Sequence, residues 1–287
     1  MSNTNSNQFS QVTRYQNAAL NYYLGLTNSP YLHYGYWHPL PVSSEELTLP
    51  QFRKAQQAYA EKLFSFIPPQ INTVLDVGCG IGGNAAYLLK QGFKVEGLAP
   101  DPFQQEKFLE NTHQQAKFHL TKFEDFKGNN TYDLILLSES SQYMAANDIA
   151  QCSAKLLNTG GYVLLADMMR SDPTYKEGIF SNCHVVEELH TALMEAGFTL
   201  IKSEDISAEI APTIDLYIDS FRTWGLSTIK YVADLISIAV PPLYQVLRWI
   251  YKRWIKKLVI EGLEAKQLYE KHLCYQIQLW QLLEKDK

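Results

Sequence analysis

Paired cysteines, a basic excess and long uninterrupted apolar runs are all missing from this 287-residue sequence. The four cysteines, Cys79, Cys152, Cys183 and Cys274, are scattered and form no CxxC pair. That argues against a disulfide framework or a zinc site, so no metal is expected, and it points to a reducing compartment, the cytoplasm. A net charge of −5 argues against a general nucleic-acid binder, because neutralising phosphates requires a basic surface. No run of about 18 apolar residues occurs, so no membrane span is expected. The longest apolar region, 235–247, is interrupted by Pro241 and Pro242. Residues 1–11 are polar and rich in Asn and Ser, with neither a basic start nor an apolar stretch, so no secretory signal is expected. What the chain does have is 46% hydrophobic residues, enough for one large domain or a domain with an insertion.

Periodicity organises the chain. Helical spacing covers 17–24 and 47–67, the second stopping before Pro68 and Pro69, with an aromatic loop over 31–37 between them. Strands at 73–77, 94–98, 118–121, 133–138, 162–167 and 199–205 then alternate with helices at 83–91, 104–113, 146–157 and 185–196. Such alternation predicts an α/β fold, a Rossmann-like and mostly parallel sheet with helices on both faces. A long helical stretch follows the sixth strand. The segment 273–283 then alternates Tyr275, Ile277 and Leu279 with glutamines. Period two reads as a seventh strand, an antiparallel edge of the sheet; a C-terminal helix is the competing reading. The division is a helical cap (1–60), a core (61–208), a helical insertion read as a lid (209–267) and the final strand (268–287).

The stretch VLDVGCGIGG, 74–83, ends a buried strand in an acid and then four glycines before a helix begins. Gly78 and Gly80 allow a sharp turn, and Gly82 and Gly83 allow a ligand or a helix to come close. The carboxyl end of a first strand meeting free helix N–H groups is where open sheets bind ligands. By itself the pattern also fits a bland glycine-rich turn or a nucleotide site. Asp76, two residues before the first glycine, suits a cationic ligand group better than a pyrophosphate.

With HYGYW upstream, GLAPDPFQ, YDLILLSESSQYM, LLNTGGYVLLADM and LMEAGF in that order, the chain resembles the class I S-adenosylmethionine (SAM) methyltransferases. It is most similar to their small-molecule branch around the tocopherol and phosphoethanolamine enzymes. The resemblance implies SAM as methyl donor, S-adenosylhomocysteine as product and a small-molecule acceptor. It implies that Asp76 and Gly78 orient the methionine part, with the Gly78 or Gly80 backbone at its amino group and Gly82 completing the turn. Ala99 and Pro100 stand where most members carry a ribose-binding acid, so Asp101 and Gln104 substitute for it. Lys122 occupies a place often held by an acid near the adenine, Phe123 stacks on the base and Glu124 accepts its amino protons. Ser138 and Glu139 lie beneath the sulfonium and face the acceptor. Tyr143 replaces a histidine frequent in the branch.

The N-terminal aromatics Tyr15, Tyr22, Tyr23, Tyr34 and Trp37 resemble the branch's cap over SAM, where rings attract a sulfonium; ordinary core packing is the other reading. Candidate bases for deprotonating an acceptor are His33, Glu139 and His184, with His38 weaker. In 243–258, Leu243, Val246, Leu247, Ile250, Trp254 and Leu258 share a helical face, and Arg248, Lys252, Arg253, Lys256 and Lys257 occupy the rest. That pattern suits either a membrane-surface helix or anionic-substrate clamp, or a lid helix with a solvated basic face. The apolar insertion suggests a largely hydrophobic acceptor, with O, N and C all open. Competing classes are a non-catalytic SAM-binding protein, a lipid-associated methyltransferase at a membrane surface, and a nicotinamide-dependent dehydrogenase. Ala99 in place of a ribose-binding acid counts against the last.

Overall fold

The computed structural model describes residues 20, 23–41, 43–128 and 130–283. Two residues from the aromatic cap, Tyr15 and Tyr22, fall outside them. Helix α1 (Leu49–Phe64) begins at Thr48, whose hydroxyl accepts from the Gln51 N–H at 3.4 Å, and it buries Phe52, Ala55, Tyr59 and Leu63 along one face. Strand β1 (Thr73–Val77) leads through the glycine turn to α2 (Gly83–Lys90). Next come β2 (Lys94–Ala99), α3 (Pro102–Asn111), β3 (Lys117–Leu120), β4 (Tyr132–Ser138), α4 (Ala146–Leu156), β5 (Leu157–Arg170), α5 (Val186–Glu195) and β6 (Phe198–Asp205). The helices α6 (Ser207–Ser220), α7 (Leu226–Ala239), α8 (Pro241–Ile250), α9 (Lys256–Leu263) and α10 (Ala265–His272) then separate β6 from β7 (Leu273–Leu282).

The sheet has seven strands in the order β3-β2-β1-β4-β5-β7-β6. Its central strands are buried on both faces. Alternation sends Val74, Leu134, Leu136 and Leu164 into one core, and Leu75, Ile135, Leu137 and Val163 into the other. The order reverses between β1 and β4, so their carboxyl ends diverge around a crevice.

The final segment is a strand, and it is antiparallel, but it is not an edge. It lies between β5 and β6, and β6 is the edge. Its glutamines are not all at the surface. Gln278 is fully buried, bonded to the His190 ring at 2.8 Å and accepting from Trp280 Nε1–H at 2.9 Å. A satisfied amide can be as buried as a leucine.

The loop 30–37 is tied to the body by side chains from α1 and α6. Gln56 Nε2 donates to the carbonyls of Tyr31 and His33, and buried Thr213 accepts from the Gly35 N–H at 3.1 Å and from Trp37 Nε1–H at 2.9 Å. Thr213→Val keeps the shape and removes the acceptor, leaving two donors without it. Equilibrium urea unfolding is expected to show a loss of about 2 kcal/mol or more; an unchanged midpoint would mean these bonds are replaceable by water.

Candidate functional site

Beyond the carboxyl ends of β1, β2 and β4 lies a cleft of about 650 Å³, within the range for small-molecule sites. The glycine turn forms its floor. Gly78 has φ +72° and donates its N–H to the Leu98 carbonyl at 2.8 Å; a Cβ there would lie 2.3 Å from Ser140 Cβ. Gly80 lines the cleft beside it. At Gly83 a Cβ would meet the Pro30 carbonyl oxygen at 2.3 Å, so the missing side chain lets the N-terminal loop close onto α2. Gly82 stands back from the cleft, caps α2 and gives its space to Phe108 of α3. The last two glycines therefore admit the protein's own elements.

Other walls come from strand ends. Ala99 ends β2 and Pro100, Asp101 and Gln104 follow it, and Asp101 also caps α3 by accepting the Phe103 N–H at 2.9 Å. Lys122, Phe123 and Glu124 follow β3, with Phe123 buried. Ser138 and Glu139 end β4, and Pro30, Tyr31, Leu32 and His33 cover the top. Among the described residues, those lining the cleft all fall between 20 and 144, and none belongs to the helical insertion. Among the remaining aromatics, Trp37 packs with Phe52 and Leu216, and the Tyr23 hydroxyl accepts from Gln56. Tyr23, Tyr34 and Trp37 do not line the cleft.

Buried Asp76 Oδ2 has no hydrogen-bond partner at the turn, while the Asn84 side chain, with its Oδ1 buried, faces the His33 ring. Asp76 sits behind the cleft wall, and burial pushes its carboxyl up to about 7. His33 Nδ1 faces the Tyr34 carbonyl at 2.8 Å, so Nδ1 carries the proton and Nε2 keeps a lone pair. Burial holds this imidazole down to about 4, so it is neutral at pH 7, stacked on Tyr59 at 4.1 Å.

Glu139 takes a left-handed backbone, φ +52°, which a non-glycine residue holds only when its surroundings enforce it. Its Oε1 accepts the Tyr34 N–H and the Tyr275 hydroxyl, both at 2.8 Å. Tyr275 spends its one proton there, so Tyr59, 2.7 Å away, donates to Tyr275, and Ser138, at 3.3 Å, donates to Tyr59. The result is a directed chain from Ser138 to Glu139. Burial raises Glu139 to about 8, against the lowering effect of these bonds.

His184 is placed elsewhere. Its Nε2–H donates to the Ser141 carbonyl at 2.9 Å, outside the cleft lining. Buried Asp167 holds the same turn, accepting from the Ser141 N–H at 2.9 Å and its hydroxyl at 2.6 Å. His184 therefore braces a loop. The sequence reading missed Asn84, Tyr59 and Asp167. The only available signal was polar groups within apolar helix or strand patterns.

The family model described as a methyltransferase domain matches residues 51–204. Sterol 24-C-methyltransferase of Pneumocystis carinii (strain B80) is 24% identical over 218 residues, 68% of this chain; the match spans 56% of that relative's own length. Among solved structures, the (4+2)-cyclase SpnF superposes with a TM-score of 0.70 at 16% identity over 96% of each chain. Geranyl diphosphate C-methyltransferase of Streptomyces coelicolor A3(2), solved with Mg2+, geranyl-S-thiolodiphosphate and S-adenosyl-L-homocysteine, does so with 0.65 at 15% identity over 88% of each. At such identities the structural likenesses speak for the fold, which by itself does not name a reaction.

Proposed function

Because the chain belongs to the methyltransferase domain family, we propose that it transfers a methyl group from SAM to a largely hydrophobic small-molecule acceptor. The observation that carries this reading is the glycine turn with the unpartnered, buried Asp76 carboxyl behind it at the switch point of the sheet. A buried carboxyl with no partner of its own suits a ligand that brings an ammonium. SAM is such a ligand, and the residues fit it.

When bound, SAM supplies a methyl group already activated on a sulfonium for in-line displacement. Asp76 ionises opposite the ammonium and supplies the negative charge it needs, and the Gly78–Gly80 backbone holds the methionine portion. Asp101 and Gln104 take the ribose, while Phe123 and Glu124 take the adenine. The loop 30–33 excludes water, and Glu139 receives the acceptor's proton at Oε2, since Oε1 is already engaged by two donors. The four cysteines are free, which suits a cytoplasmic setting.

The test pairs calorimetry with labelling. S-adenosylhomocysteine should bind and NAD should not. Incubation with labelled SAM and an extract of the source cells should place label on one small metabolite, seen by mass spectrometry. No binding of S-adenosylhomocysteine would sink the reading; binding without transfer to any metabolite would leave a non-catalytic SAM-binding protein.

A further inference from the structure

Of the helices between β6 and β7, α6 and α10 pack against the body, but α7, α8 and α9 solve no packing problem within this chain. No residue from 219 to 264 is buried, although the stretch is dense in large apolar side chains. Ile238 is 79% exposed, Trp224 76%, Trp254 67% and Leu258 59%. Helix α7 is apolar over most of its circumference, with Ser227, Lys230, Asp234 and Ser237 gathered on one narrow stripe, a pattern that suits an interface between an apolar phase and water. Helix α8 continues through a π-helical turn at Tyr251–Ile255 into α9, and its apolar face, including Leu243, Val246 and Leu247, is open. The segment 221–260 carries seven Lys and Arg against the single acid Asp234, a net +6 in a chain whose net charge is −5. Arg248, Lys252 and Lys256 repeat every four residues and form one line along the helix, opposite Leu243, Ile250 and Trp254.

Three occupants of this face can be compared. Among the described residues the chain's own cleft is lined by 20–144 and by none of this face, so it does not take the face. A second copy would set the five cations of 248–257 against another five. An anionic lipid surface answers both features: acyl chains receive the apolar side, headgroups receive the cations, and Trp and Tyr sit at their boundary. Among the described residues no helix is long and apolar enough to cross a membrane, so the contact lies in the plane of the interface.

We propose that segment 221–260 docks the protein on an anionic bilayer surface. This assignment does not depend on the methyl-transfer reading. Docking lays the two helices in the headgroup region and leaves the acidic body in water.

Vesicle flotation of the full chain tests it, with phosphatidylcholine vesicles alone and with vesicles that also carry phosphatidylglycerol. The wild type should float with the anionic vesicles and far less with the neutral ones. Each cation near such a surface contributes about fivefold in partitioning, so Lys252→Ala with Lys256→Ala should weaken binding on the order of 25-fold. Ile238→Glu with Trp254→Glu should stay at the bottom of the gradient. All variants should bind S-adenosylhomocysteine as the wild type does, since none touches the cleft. The lysine pair is fully solvent-facing chemistry and keeps the test alive if the glutamate pair fails to fold. Failure to float, or equal flotation with both vesicle types, overturns the proposal. So does a vesicle-free dimer that the glutamate pair converts to monomer in sedimentation, which would assign the face to a second copy.

Discussion

Glu139→Gln is expected to lower turnover about 10²- to 10⁴-fold while S-adenosylhomocysteine binds as tightly as to the wild type. The substitution keeps the shape and keeps an acceptor for the Tyr34 N–H and the Tyr275 hydroxyl, both 2.8 Å from Oε1. What it removes is the oxygen that takes a proton. With the carboxyl raised to about 8, mainly by burial, the ionised fraction grows through that pH, so wild-type turnover should rise between pH 7 and pH 9 and the variant should lack that limb. His33→Gln is the comparison. An imidazole held down to about 4 is already neutral at pH 7, so its loss should not move the alkaline limb. Stability supplies a second readout. The native state holds the Glu139 proton more tightly than the unfolded chain does. That contribution is full below the ordinary carboxylate range and is lost as pH rises through about 8. The thermal midpoint of Glu139→Gln should therefore fall less than the wild type's over the same rise. Equal turnover in variant and wild type would remove Glu139 from the chemistry.

Asp76→Asn should weaken S-adenosylhomocysteine binding on the order of 30-fold or more, the usual result of deleting one member of a buried charge pair. Asp76 is almost wholly buried behind the glycine turn, its Oδ2 has no partner, and burial alone lifts its carboxyl to about 7. Burial thus favours the protonated form in the free protein. An ammonium brought near it favours the ionised form and lowers that value. Binding should then release a fraction of a proton near pH 7, and affinity should increase from pH 6 to pH 8. Calorimetry in buffers of different ionisation enthalpy counts the proton. In Asp76→Asn the buffer dependence should vanish along with most of the affinity. Wild-type heats that do not depend on buffer, together with an unchanged variant affinity, would place the ligand's charge elsewhere.

Legibility in the sequence followed the range of the interactions. The glycine turn was readable because each requirement is local: Gly78 must hold φ +72° and Gly83 must admit a carbonyl oxygen. The strand ends that wall the cleft, 99–104 and 122–124, follow directly from strand–helix alternation. His184 misled because a histidine at a helix start near the expected pocket looks the same in sequence whether it faces a cleft or, as here, a backbone carbonyl. The relay to Glu139 was invisible. Tyr59 and Tyr275 are 216 residues apart, and each sits in an apolar pattern that explains it completely as packing.

By itself, the order of residues determined the α/β alternation, the glycine turn and the seventh strand, because hydrophobic period and glycine geometry act within a few residues. The tertiary structure alone decided that β7 lies inside the sheet and that Glu139 ends a chain of hydroxyls. It also left the apolar helices of 221–260 uncovered. Those outcomes depend on which surfaces meet across the fold, and period two or period 3.6 names a buried face without naming what it is buried against.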